Sequence, residues 1–421
     1  MPAAMPSPAA VAGTAPVAEA VSRSTHRRRV TLLMTGSCLP ILGAVLISPV
    51  LPKMQDHFAD VSGANVLVPV ALTVPALSLA LLAPFAGVMV DRIGRKRLLV
   101  IATVLYAVFG TAPLWLDSLG AIVASRALVG ITEAAIMTTC TTLIGDYYTG
   151  RARDRYLAMQ TMCASASAVV FFVIGGAAGS AGWRAPFWIY AISLLLAPAM
   201  AAILSKPAPE AAADHSASDS VRQPAARPYP WRKLAGTCAL TLFGAIFFYT
   251  VPVEMSYLMD DLGVKSTSVI GLATAVTAAA VVAGAIVFTK LRRGRDIALP
   301  AVFALCAAGF AVIGFAGNPV VLIAGAVVSS VGTGIMLPLL LTRAMSALDF
   351  ADRGRGTGLW TSAFFFGQFL CPLVLLAFAS ATGGLAAAVG LLGLAAALTA
   401  GVLLLARRRP SAAGLPEAPT S

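Results

Sequence analysis

Arg126 and Glu133 stand seven residues apart in the segment SRALVGITEAAI, inside a run that is otherwise apolar. Seven residues is nearly two helical turns, so a helix carries both side chains on one face, about 10 Å apart along its axis. A charge at the centre of a bilayer costs roughly 2.5–3.5 kcal/mol on insertion scales, so each needs a water-lined cavity or a partner. The chemistry open to the pair is proton exchange at Glu133 beside the fixed charge of Arg126. The plainer alternative is structural, with Arg126 capping the outer end of a helix bundle and Glu133 held in an ion pair.

A second acid, Glu254 in VPVEMSY, follows Tyr249, Thr250 and Pro252 towards the end of another apolar run. It reads either as a wall of an outer vestibule or as an interfacial acid beside Asp260 and Asp261. Most Ser and Thr residues in such runs bond back to their own helix, whereas the amides Gln160 and Gln368 are harder to satisfy locally. The expected cavity set is Glu254, Gln160, Gln368, Thr35 and Tyr249. Trp360, Phe364, Phe365 and Phe366 offer an apolar wall, of which helical geometry turns only part inward.

Enzymatic chemistry finds no footing. No G-x-x-x-x-G-K-[ST] phosphate cradle and no G-x-S-x-G nucleophile turn occurs. His26, His57 and His215 lie outside the apolar runs or at their ends. The six cysteines all fall inside such runs with no C-x-x-C spacing, as small core residues do. We therefore expect no catalysis, no metal and no cofactor.

The elements that position these residues follow from composition. Of 421 residues 58% are hydrophobic and 11% charged, too few charges to cover a soluble surface, so the chain is expected to be an all-α integral membrane protein. Runs of about 20 apolar residues predict twelve spans, at 30–52, 65–89, 98–116, 119–143, 155–179, 184–204, 234–257, 267–289, 297–316, 319–342, 356–379 and 383–406. Residues 1–29 read as a disordered cytoplasmic tail, 30–204 and 233–406 as two six-helix bundles, 205–232 as a cytoplasmic linker and 407–421 as a second tail. With the N-terminus inside, 26 of the 30 Lys and Arg residues fall on the cytoplasmic side and three (Lys53, Arg184, Lys265) outside. Both termini are thus expected in the cytoplasm. The net charge of +12 is spread over these loops, which is membrane topology and not a nucleic-acid face.

Between the second and third runs lies GVMVDRIGRKR, residues 87–97, which reads as a tight turn. Sliding the second half by 198 positions puts Thr289 and Lys290 under Asp91 and Arg92, Arg293 under Arg95, and Asp352-Arg353 under Asp154-Arg155. One shift serving two loops indicates an internal repeat.

The loop resembles the G-x-x-x-D-R-x-G-R-[KR] signature of the major facilitator superfamily, here Gly87, Asp91, Arg92, Gly94, Arg95 and Lys96. Arg126 and Gly130 resemble the R-x-x-x-G signature of its twelve-helix proton-coupled drug and metabolite antiporters, in which the arginine is associated with proton transfer. IGGAAGSAGWR, residues 174–184, is similar in part to the G-P-x-x-G-G signature of that branch: Gly175 and Gly179 fit, Gly176 stands in place of proline and Ser180 in place of the last glycine. The resemblance implies two pseudo-symmetric six-helix bundles around a central cavity, opening to each side in turn.

Efflux of small, fairly apolar compounds by proton antiport is then expected, with Glu133 and Arg126 coupling the protons and the Gly87–Lys96 loop gating the conformations. Asp91 is expected to meet a base or a helix N-terminus between the halves. A proton-coupled uptake symporter is the nearest alternative and a non-transporting membrane sensor a further one. The implied setting is a monomer in a bacterial inner membrane, with lipid, protons and a small molecule as its partners.

Overall fold

The computed structural model describes the backbone of residues 15–204, 231–290, 295–346, 348 and 352–408; side chains at 15–25, 91, 231–233, 295–298, 353–354 and 406–408 lie outside that description. All of its regular elements are helical. Six helical segments of the first half are long and apolar enough to cross a membrane: His26–His57, Ala64–Val90, Arg95–Leu114, Leu119–Tyr147, Gly150–Ala181 and Ala185–Ile203. In the second half, Leu234–Asp261, Thr267–Lys290, Pro319–Ser346, Arg355–Thr382 and Leu385–Leu405 do the same. Between Lys290 and Pro319 runs the helix Arg295–Gly314, whose apolar part Leu299–Gly314 is shorter. These are the first to twelfth spans in chain order, within a few residues of the expected limits.

The described helices meet the expected segment ends at three places. The first helix starts at Ala15, inside the stretch 1–29 read as a disordered tail. Ala, Glu and Arg there favour helix, and Pro16 sits in the first turn, where its missing N–H costs nothing. Of the expected linker 205–232, residues 205–230 lie outside the described residues, and the next helix begins at Trp231. The last helix continues to Arg408, and the remainder of the expected tail lies outside the described residues.

The 87–97 turn is tighter than its sequence suggests. The second span narrows to a single 3-10 turn at Ala83–Phe85, where Pro84 interrupts the helical ladder, and then runs on as the helix Ala86–Ile93. The third-span helix starts at Arg95, so Gly94 alone makes the reversal, with φ +87°. Only glycine takes that conformation without steric cost.

The first span is broken too. The helix Ala15–Val45 gives way to a 3-10 turn at Ser48–Val50 that contains Pro49, then to the helix Leu51–His57. A helix C-terminus leaves its last carbonyls without backbone donors, and those of Gly43 and Ala44 are taken by side chains of other spans.

The two halves meet along the second and eleventh, fifth and eighth, and first and seventh spans. The fifth and eighth touch backbone to backbone near one end, where a Cβ on Gly176 would lie 2.9 Å from Gly271 Cα. Small residues permit that approach, and van der Waals packing holds it in lipid. Ser268 Oγ also donates to Gly176 O at 3.4 Å, and Ser48 Oγ to Pro252 O. We call this end the opposite face, and the end bearing Arg27–Arg29, Arg95–Arg97 and Arg151–Arg155 the basic face.

Candidate functional site

A cavity of about 470 Å³ lies between the halves, within the roughly 300–1,000 Å³ range of small-molecule sites. Its walls are mostly apolar, including Ile41, Leu72, Met137, Phe172, Phe364 and Phe365. Phe364 is backed by Trp360, stacked on it with the ring planes 2° apart, whereas Phe366 points away and is exposed. Thr161 and Ser165 of the fifth span line the cavity and are solvent-exposed, so the cavity opens along that span towards the basic face.

Glu133 lines this cavity and is 1% exposed, with no hydrogen-bond partner for Oε1. Its carboxylate fills the space beside Gly43: a Cβ built there would collide with Oε1 and lie 3.0 Å from Cδ. The glycine is thus what lets the acid stand against the end of the first helix.

Arg126 is fully buried and does not line the cavity. Its Nη2 donates to Gly43 O at 2.6 Å, its Nη1 to Tyr190 Oη at 2.7 Å and its Nε to Ala71 O at 3.3 Å. Each acceptor has a local reason. Gly43 O is an orphan of the broken first span, at the negative end of a helix dipole. Ala71 O is free because Pro75, four residues on, has no N–H to give it. Tyr190 packs against Tyr106, with ring centroids 5.2 Å apart, and Tyr106 Oη donates to Leu39 O at 2.6 Å. Hydrogen bonds to a charged group contribute about 1.5–3 kcal/mol each. Three of them offset the roughly 2.5–3.5 kcal/mol of placing an arginine in the membrane.

No salt bridge joins the two side chains: the guanidinium is satisfied by two carbonyls and a hydroxyl, and Glu133 Oε1 has no hydrogen-bond partner. Gly130 serves the same arrangement. A Cβ there would lie 2.8 Å from the Pro75 carbonyl carbon, so the glycine brings the fourth span against the second.

The other expected cavity residues divide. Gln160 and Gln368 both line the cavity. Gln160 Nε2 is engaged, 2.8 Å from Ser37 Oγ and 3.2 Å from Thr141 Oγ1. Gln368 is 5% exposed and makes no hydrogen bond among the described residues. Tyr249 lines the cavity and gives its hydroxyl to Ala44 O at 2.6 Å. Thr35 does not reach it: the residue is exposed and bonds back to Thr31 O at 2.9 Å, as a helical threonine does. Glu254 is not in this cavity either but in a smaller one near the opposite face. It lies between one and two turns beyond Tyr249 on the seventh span, towards the opposite face.

Of the expected gate, Arg95 pairs with Asp146 near the end of the fourth span. Arg92, Gly94 and Lys96 lie at the basic-face end, Gly87 has open space around it, and the side chain of Asp91 is outside the described residues. Sequence reasoning missed Gly43, Tyr190, Tyr106 and Asp146. Only Asp146, an acid beside the basic GRARDR run, carried a signal of its own.

A family model of the Major Facilitator Superfamily matches residues 33–265 and 235–420. Multidrug resistance protein 1 of Bacillus subtilis (strain 168) is 32% identical over 184 residues, 43% of this chain and 45% of that protein. The class E tetracycline resistance protein of Escherichia coli is 31% identical over 165 residues, 38% of this chain and 39% of that one. The chain thus spans less than half the length of these relatives in the matched regions. Among solved structures, a D-xylose-proton symporter superposes with a TM-score of 0.74 at 15% identity, over 89% of this chain and 96% of that one. A bacterial homolog of the human lysosomal transporter Spinster superposes with a TM-score of 0.69 at 15% identity, over 90% and 94%. At such identity the likeness is one of fold.

Proposed function

The chain belongs to the Major Facilitator Superfamily of small-molecule transporters, and from that premise we propose that it exports small, largely apolar compounds through the central cavity in exchange for protons. The observation that carries this reading is Glu133: an acid buried in an apolar cavity, with Oε1 unbonded and Arg126 committed elsewhere. Such a carboxylate is charged or neutral according to what fills the cavity. A ligand that binds through the ionised carboxylate competes with the proton for Glu133, the linkage that exchange requires. Gln368 supplies an unengaged amide to orient the ligand, and Phe364 and Phe365 supply apolar contact. The names of the multidrug and tetracycline resistance relatives support efflux over uptake.

In this reading the basic face is cytoplasmic, both termini lie inside, and the cavity open along Thr161 and Ser165 is loaded from the cytoplasm. The chain works as a monomer in the inner membrane, as two six-helix halves (30–204 and 233–406) joined by 205–232. The Gly87–Lys96 loop acts as a latch between conformations.

The test is transport by the purified protein in liposomes with an imposed pH gradient, using tetracycline and a lipophilic fluorescent dye. Movement of either compound against the proton flux, lost in Glu133→Gln, is expected. Movement that ignores the gradient, or is unchanged in Glu133→Gln, overturns the reading. Movement in the same direction as protons marks a symporter instead.

A further inference from the structure

Near the opposite face a second cavity, of about 210 Å³, lies between the halves. Glu254 lines it and is 4% exposed, yet among the described residues its carboxylate makes no hydrogen bond and no ion pair. A charged group taken out of water without a partner costs several kcal/mol, and an ionisable residue inside the membrane marks a functional site by default. The bases that could neutralise it are committed elsewhere. Lys53 Nζ donates to Gly179 O at 3.1 Å, Arg184 pairs with Asp117 at 2.8 Å, and Lys265 lies 4.0 Å from Asp260. These are the three Lys and Arg residues of this face among the described residues, and the His57 ring packs against Phe58 and Trp183.

The rest of the wall adds polar groups. The Tyr257 hydroxyl is buried without a hydrogen-bond partner, Asp261 adds a second carboxyl, and Gln55 and Asn65 add amides. Pro69, Pro372 and Leu376 add apolar surface to the same cavity, so a single ligand there meets both a carboxyl group and hydrocarbon. Three or more metal-binding side chains do not converge anywhere among the described residues, and the volume falls below the roughly 300 Å³ of drug-sized sites.

We propose that this cavity is a binding site for a small organic ammonium ion, whose charged nitrogen sits on the Glu254 carboxylate and whose alkyl part lies against Pro69, Pro372 and Leu376. The site is separate from the central cavity and does not depend on the export reading. Gln55, Asn65 and Pro69 come from the first half and Glu254, Tyr257 and Pro372 from the second. A bound cation therefore bridges the halves and favours the arrangement in which they meet at this face.

The test is calorimetric titration of n-butylammonium chloride into the full-length protein in lipid nanodiscs, with empty nanodiscs subtracted. The native chain should bind at one saturable site. Glu254→Gln, which keeps the shape but not the charge, should weaken binding at least about tenfold, the scale of one charge-assisted hydrogen bond. Leu376→Trp, which fills the apolar part and leaves the carboxylate, should weaken it as well, and guards against a folding defect in the first variant. Glu133→Gln, in the central cavity, should leave it within about twofold. Absence of saturable binding to the native chain, native-like binding by Glu254→Gln, or loss of binding only in Glu133→Gln overturns the proposal. Saturable binding of sodium but not of n-butylammonium also overturns it, making this an inorganic cation site.

Discussion

The Glu133 carboxylate occupies the space that a side chain at Gly43 would need, and the carbonyl of that same glycine holds Arg126 Nη2 at 2.6 Å. One backbone position, at the break in the first span, thus sets where both membrane charges of the fourth span point. The acid is left facing the cavity and the base is turned away from it.

A methyl group at Gly43 must push Glu133 aside. Overpacking of this kind costs about 1–3 kcal/mol, and transport in the liposome assay should fall at least about tenfold if the acid is displaced. The cost should shrink when Glu133→Ala removes the obstacle. Thermal unfolding of the two single variants and the double variant measures this coupling, and strictly additive losses would contradict the contact.

Arg126 is held by three acceptors, so its removal should be felt first in stability. Arg126→Met orphans two carbonyls and a hydroxyl at about 1–3 kcal/mol each. Tyr190→Phe removes one charge-assisted bond, about 1.5–3 kcal/mol. Unfolding midpoints in detergent should therefore fall in the order native, Tyr190→Phe, Arg126→Met. A native-like midpoint for Arg126→Met would refute the bonding scheme.

The fifth and eighth spans should come apart at the opposite face in Gly271→Val, because the new side chain meets the Phe172 carbonyl and Gly176. A cysteine placed at Ala278, on the cavity wall, reports the change in a background without other cysteines. Labelling of that cysteine by an impermeant thiol reagent added at the opposite face should rise. Unchanged labelling would mean that this contact does not hold the face shut.

Arg95 and Asp146 tie the start of the third span to the end of the fourth. Arg95→Asp should slow transport through loss of that tie, and the exchange Arg95→Asp with Asp146→Arg should restore part of the rate. Failure of any rescue, with both proteins folded, would assign Arg95 a role beyond the pair.

Much of the architecture was legible before any coordinates because a bilayer imposes a local rule. Twenty apolar residues and a bias of arginines are properties of short windows, and they place the spans within a few residues. The loop at Gly87–Lys96 likewise announces its family through local spacing, and Gly94 reads as a turn for a local steric reason. The candidate site was legible only as a set of residue types: Arg126, Glu133, Gln160, Gln368 and Tyr249 were all visible as polar groups in apolar runs.

What those groups do was decided by tertiary structure, because their partners come from other spans. Arg126 finds Gly43 O on the first span, Ala71 O on the second and the Tyr190 hydroxyl beyond the fifth. Two of these are carbonyls released by a helix break and by a proline, acceptors that leave no mark on the residue type at positions 43 and 71. Thr35 and Glu254 looked like the other cavity residues in sequence, yet helix rotation turns one outward and depth along the seventh span puts the other in a separate cavity. Hydropathy determines that a residue is in the membrane; the packing of twelve helices determines which charge is satisfied there and which is left free to bind.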